Sequence, residues 1–94
     1  MDLDSLRREI DAIDQDLLRL FLRRMKIVEG IARYKLDNRL PVLHPGRERQ
    51  ILDWMEEQAG DKMAVYTREF FQALLAASRH MQEDVMKNDE KKEP

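Results

Sequence analysis

Apolar residues recur through the first third of the chain at Leu6, Ile10, Ile13, Leu17, Leu20, Ile27, Ile31 and Tyr34. Their intervals alternate between four and three, the spacing of a helix face that packs on other helices. Position 24 belongs to the same series and is occupied by Arg24. Lys35 lies eleven residues further on, about three turns along and on nearly the same face. A charge inside an apolar seam is costly unless it is paired. Two cations there point to a buried site for an anion. The pattern predicts one helix from about Ser5 to Leu36, with Asp2 or Asp4 as its N-cap.

The stretch from Leu40 to Gly46 contains Pro41 and Pro45 and is the one clear loop, because proline disfavours helix at the residue before it. A second helix is predicted from Gly46 or Arg47 to about Ala59, with Ile51, Leu52, Trp54 and Met55 on its apolar side and Gly60 as its stop. A third runs from about Ala64 to Met86, its seam formed by Phe71, Leu74, Ser78, Met81 and Val85. Residues Lys87 to Pro94 are almost all charged or polar and are expected to be disordered. The fold class is therefore all-α: one domain over 1–86 made of a long, a short and a medium helix, followed by a charged tail.

The first helix is too long for a compact domain of this size. At 1.5 Å per residue, ~32 residues span roughly 48 Å, whereas a compact chain of this length has a diameter of roughly 32 Å. The apolar seam continues into the projecting part, so a second copy of the chain, packed as a symmetric dimer, is expected to cover it.

Composition narrows the partners. The formal net charge is −2, and no basic stripe with interleaved aromatics occurs, which argues against nucleic acid. There is no cysteine, which fits a reducing cytoplasm. The start, MDLDSLRREI, carries no secretory pattern, and no apolar run approaches the ~18 residues of a membrane span. His44 and His80 are the only histidines and lack paired ligand spacing, so no metal is expected.

The polar residues each have an ordinary explanation. Arg7 lies one step off the seam in a charge-rich turn. Arg24 can snorkel, and Lys35 near a helix end favours the dipole. Glu48, within Arg47-Glu48-Arg49, suits a helix first turn. Ser78 can bond back to its own helix, and Gln82, four residues on and sharing its face, can be exposed near a helix end. Together, however, Arg24, Lys35, Arg47, Glu48, Ser78 and Gln82 fall on three helices that must pack. The set is rich in donors, has one carboxylate, and contains no nucleophile–base pair and no glycine-rich phosphate loop. It suits a small polyanion, handled by positioning and electrostatic stabilisation.

The run Leu6-Arg7-Arg8-Glu9-Ile10-Asp11-Ala12-Ile13-Asp14, then Arg23-Arg24, Lys35, Arg47-Glu48 and Ser78 with Gln82, resembles the all-helical class of chorismate mutase over about residues 5–83. The resemblance implies an intertwined homodimer of three-helix chains whose active sites draw on both chains. It implies the rearrangement of chorismate to prephenate, in phenylalanine and tyrosine biosynthesis, with no cofactor, metal or proton transfer. Carried over, Arg24 and Arg7 grip the substrate carboxylates, with Arg7 supplied by the partner chain. The seventeen residues between them place the two roughly 25 Å apart on one helix, too far to share one small ligand. Lys35 and Gln82 bond the ether oxygen, Glu48 holds the ring hydroxyl, Ser78 lies near the ring carboxylate, and Arg47 reaches the ligand or braces Glu48. His44 departs from the pattern, since many relatives carry an acidic residue there. It reads either as an exposed loop histidine or as a weak contributor to the site.

Two other readings share these residues. An isochorismate pyruvate-lyase of salicylate formation would use much the same arginines and lysine, although Glu48 and Ser78 lean toward the mutase. A non-catalytic helical dimerisation or regulatory module, or a complex with another shikimate-pathway enzyme, is also compatible with the sequence.

Overall fold

The computed structural model describes residues 2–92. Those residues form three helices: α1 Leu3–Asp37, α2 Pro45–Ala59 and α3 Ala64–Lys92. Asp2 caps α1, its carboxylate accepting from the Ser5 backbone N–H at 2.7 Å. That bond, followed by one from the Ser5 side chain, holds the Asp2 carboxyl below its ordinary value. At the other end Arg39 takes a positive φ of 55°, and the Leu40 N–H donates to the Lys35 carbonyl at 2.8 Å. This left-handed residue turns the chain out of the helix and into the proline loop.

His44 is the N-cap of α2, its Nδ1 accepting from the Arg47 backbone N–H at 2.9 Å. Pro45 occupies the first helical position, where its fixed φ fits and its missing N–H costs nothing. Gly60, at φ 83°, ends the helix. Its left-handed conformation is one that a Cβ would disfavour.

α3 continues to Lys92, six residues past the end expected from the apolar seam. Lys and Glu are good helix formers, and no Gly or Pro interrupts the chain before Pro94. Residues 93 and 94 of the expected tail lie outside the described residues.

α3 is the central element. It packs against both α1 and α2, while α1 and α2 do not approach each other at the backbone. α2 runs antiparallel to α3, with Arg68 of α3 bonded to Glu56 at 3.2 Å and Arg79 further along paired with Glu48. α1 runs in the same direction as α3, Arg24 meeting Ser78 and Lys35 meeting Gln82. The buried apolar side chains are Val28 and Ala32 from α1, Leu52 from α2 and Leu75 from α3. Ser78 and Gln82 are buried among them, so the meeting point of the helices is partly polar.

The chain is elongated, with principal extents of 61 × 27 × 14 Å and a radius of gyration of 16.9 Å, against about 12 Å for a compact chain of this length. The seam read from the sequence is not buried within the chain: Leu6, Ile10, Ile13, Leu17, Leu20, Ile27, Ile31 and Tyr34 are all exposed. α3 reaches only one flank of α1, and the flank it covers carries Val28 and Ala32, one step around the helix. An apolar cavity of about 570 Å³ opens between α1 and α3, lined by Leu17, Leu20, Phe21, Phe70, Leu74 and Ala77 among others. No described helix is long and apolar enough to cross a membrane.

Candidate active site

A second cavity, of about 250 Å³, lies where the three helices and the proline loop meet. α1 contributes Arg24, Val28, Ile31 and Lys35. The loop contributes Val42 and His44, and α2 contributes Arg47, Glu48 and Ile51. α3 completes it with Leu75, Ser78, Arg79 and Gln82. Seven of the eight site residues read from the sequence therefore line one cavity: Arg24, Lys35, His44, Arg47, Glu48, Ser78 and Gln82. The eighth, Arg7, is exposed near the start of α1 and takes no part in it.

The placement follows from helix geometry. Arg24, Val28, Ile31 and Lys35 repeat at four, three and four, so they form one stripe of α1. Leu75, Ser78 and Gln82 do the same on α3. The His44 cap starts α2 at a defined point, which fixes where Arg47 and Glu48 emerge from its first turn.

Arg24 donates from Nη1 to the Ser78 hydroxyl at 2.5 Å, and that hydroxyl donates to the Leu74 carbonyl at 2.9 Å. The back-bond expected of Ser78 is present, and the arginine uses the same oxygen. No carboxylate pairs with Arg24 among the described residues. Its pKa is lowered, first by burial and then by the neighbouring Arg47. Both causes disfavour the cation, and an anion beside it would offset both.

Lys35 donates from Nζ to the Val42 carbonyl at 2.7 Å and to Gln82 Oε1 at 3.0 Å. The first bond ties α1 to the loop. The second orients the Gln82 amide, because an ammonium can only face the amide oxygen. Gln82 Nε2 is left with two hydrogens and no protein partner among the described residues. The exposed position that the sequence allowed for Gln82 does not hold: the side chain is only 7% exposed.

Glu48 accepts from Arg79, an α3 residue that sequence reasoning passed over. The available signal was slight. Arg79 follows Ser78 directly and opposes Glu48 in sign, but nothing in the sequence sets the register of α2 on α3. Arg47 donates to Gln50 at 2.9 Å on its own helix and remains exposed. No group of three or more His, Asp or Glu side chains is arranged to hold a metal among the described residues. The site thus presents four cations and one carboxylate around a small cavity, with an amide N–H₂ and an ammonium side by side. Such a constellation can bind and orient a compact dianion and donate hydrogen bonds to an oxygen on which charge develops.

Residues 6–83 match the family model described as chorismate mutase type II. The chain is 42% identical over 52 residues to a bifunctional chorismate mutase/prephenate dehydratase of Aquifex aeolicus, covering 55% of this chain and 14% of that protein. It is 38% identical over 50 residues to the T-protein of Haemophilus influenzae, covering 53% and 13%. It is also 38% identical over 60 residues to a 4-amino-4-deoxychorismate mutase of Streptomyces venezuelae, covering 64% and 58%. The chain thus spans a small fraction of the first two relatives and little more than half of the third.

Proposed function

The chain belongs to the chorismate mutase type II family, and from that premise we propose that it is an isomerase that rearranges chorismate to prephenate. The observation that carries the reading is the convergence of Arg24, Lys35 and Gln82 on the wall of one cavity, where Glu48 is the only carboxylate among the described residues and is already paired with Arg79. The reaction is unimolecular and pericyclic. One carbon–oxygen bond breaks as one carbon–carbon bond forms, so no nucleophile, proton carrier or cofactor is required of the protein.

Two effects remain for the chain to supply. The first is conformational. Arg24 holds one carboxylate, and Ser78 lies beside it. Freezing the flexible substrate into its folded, reactive conformer removes an entropic part of the barrier. The second is electrostatic. Lys35 Nζ and Gln82 Nε2 donate to the ether oxygen, which gains negative charge as its bond to carbon breaks, so they bind the transition state more tightly than the ground state. Glu48 accepts from the ring hydroxyl, and Arg47 and His44 close the loop side.

Arg7 completes the site from a second copy of the chain in an intertwined homodimer. The length of α1, the exposure of its seam and the open apolar cavity against α3 support this arrangement. We place the enzyme in the cytoplasm and its product in phenylalanine and tyrosine biosynthesis. A relative named for chorismate mutase joined to prephenate dehydratase supports that setting and a functional link to another enzyme of the same pathway.

The test is the disappearance of chorismate on addition of purified protein, with prephenate identified as the product. Loss of chorismate no faster than the spontaneous rate would overturn the proposal, as would release of pyruvate and salicylate from isochorismate with chorismate left intact.

A further inference from the structure

Glu48 is the only carboxylate on the cavity wall among the described residues, and it is not free. Arg79 of α3 donates to its Oε1, while Oε2 has no protein partner among the described residues. The pair is mostly screened from water, the side chains being 34% and 22% exposed. Arg24, Lys35 and Arg47 lie on the same wall. Glu48 can therefore accept a hydrogen bond through Oε2, but its charge is already offset and it stands among three further cations.

This arrangement discriminates between two kinds of ring substituent. A hydroxyl needs an acceptor and brings no charge, so a compensated carboxylate serves it fully. An ammonium needs net negative charge, and here it would meet a wall that is positive overall. The contrast has a chemical counterpart: one relative of this chain is named for a substrate in which an amino group replaces the ring hydroxyl of chorismate. Such an amine is protonated near neutral pH.

We propose that Arg79 is a specificity-determining residue of this site: by neutralising Glu48 it tunes the cavity to a hydroxylated ring and against an aminated one. The inference rests on the mutase reading and deepens it. Arg79 acts through Glu48 and is a positioning residue. A simple inter-helix ion pair between α2 and α3 would be a structural tie of small worth, and its loss would affect all substrates alike.

The experiment compares kcat/KM for chorismate and for 4-amino-4-deoxychorismate in wild type, Arg79→Met, Arg79→Lys and Glu48→Gln. Wild type favours chorismate. In Arg79→Met the chorismate-to-amine ratio falls about tenfold or more, because an uncompensated Glu48 now attracts the ammonium. In Arg79→Lys, which keeps the charge, the ratio stays within about threefold of wild type. In Glu48→Gln the ratio rises, because the last negative charge is gone while an amide oxygen still accepts from a hydroxyl. Both Arg79→Met and Glu48→Gln break the same ion pair, so a purely structural role would move the ratio the same way in both, or not at all. Either of those results overturns the inference, as does a wild type that favours the amine. If Arg79→Met does not fold, the opposed shifts are read from Glu48→Gln and Arg79→Gln. A wild type inactive on both substrates is a different failure, and it removes the mutase reading itself.

Discussion

At the scale of single residues, the site depends on which atoms remain uncommitted. Lys35 and Gln82 spend one bond on each other and keep donors for a ligand. Arg24 spends one on Ser78 and has no carboxylate partner among the described residues. Removing either cation should cost what the loss of a preorganised donor costs elsewhere, about a hundred- to thousandfold in kcat/KM. Lys35→Ala and Arg24→Ala are therefore expected to fall by that much while keeping the wild-type helical circular dichroism, and near-normal turnover in either would count against their roles. Arg24 also separates stability from function. Because burial and Arg47 both oppose its charge, Arg24→Met is expected to unfold at a higher temperature than the unliganded wild type while losing activity. Gln82 carries a prediction of another kind. An amide donates at every pH, but a carboxyl donates only when protonated. Beside the Lys35 ammonium the carboxyl introduced by Gln82→Glu would be ionised at neutral pH and could not donate. The activity of Gln82→Glu should thus be weak at neutral pH and rise as the pH falls, and a pH–rate profile identical to wild type would argue against a hydrogen bond from this position.

At the scale of the elements, the helix starts and stops follow from local chemistry, and much of that chemistry can be read in the sequence. Asp2 caps α1 and Gly60 ends α2 as their residue types require. The stripes that meet in the cavity were also legible, because Arg24 with Lys35 and Ser78 with Gln82 keep helical spacing whatever the helices pack on. What could not be read depends on contacts between elements. The Arg79–Glu48 pair needs the register of α2 on α3. The burial of Gln82 needs Lys35 across from it, and the choice of Val28 and Ala32 over the neighbouring seam depends on which flank α3 covers. The cap on α2 was missed for a different reason: histidine is not among the residues that usually cap helices, and only the geometry shows Nδ1 accepting from Arg47. His44 lies in the cavity wall and also sets the first turn that carries Arg47 and Glu48, so it should matter twice. His44→Ala is expected to lose about 1 kcal/mol of stability, read from the denaturation midpoint, together with kcat/KM. His44→Asn should recover most of the stability, since its amide oxygen can take the same N–H. A His44→Asn protein as unstable as His44→Ala would remove the cap from the account.

At the scale of the whole molecule, a single copy looks unfinished. Its accessible surface is 7939 Å², whereas a compact monomer of this mass exposes about 5,700 Å². The excess per chain is of the size that an obligate homodimer buries. It is concentrated where α1 runs past α3 and leaves its apolar seam uncovered. A cavity with several cations on its wall, and a further arginine roughly 25 Å away along the same helix, make sense together if two antiparallel copies of α1 bring each Arg7 to the other's Arg24. Sedimentation should then give twice the chain mass of 11.3 kDa at micromolar concentration. Complementation tests the exchange of Arg7 directly. Arg7→Ala and Arg24→Ala should each be nearly inactive alone. If the two are unfolded and refolded together in equal amounts, half of the dimers are mixed by chance. In a mixed dimer both substitutions fall in one site and the other site is whole. Activity should therefore recover to about a quarter of wild type, a value fixed by two-fold symmetry and independent of the rate constants. If Arg7 served the site of its own chain, every site in the mixture would carry one substitution and nothing would be regained.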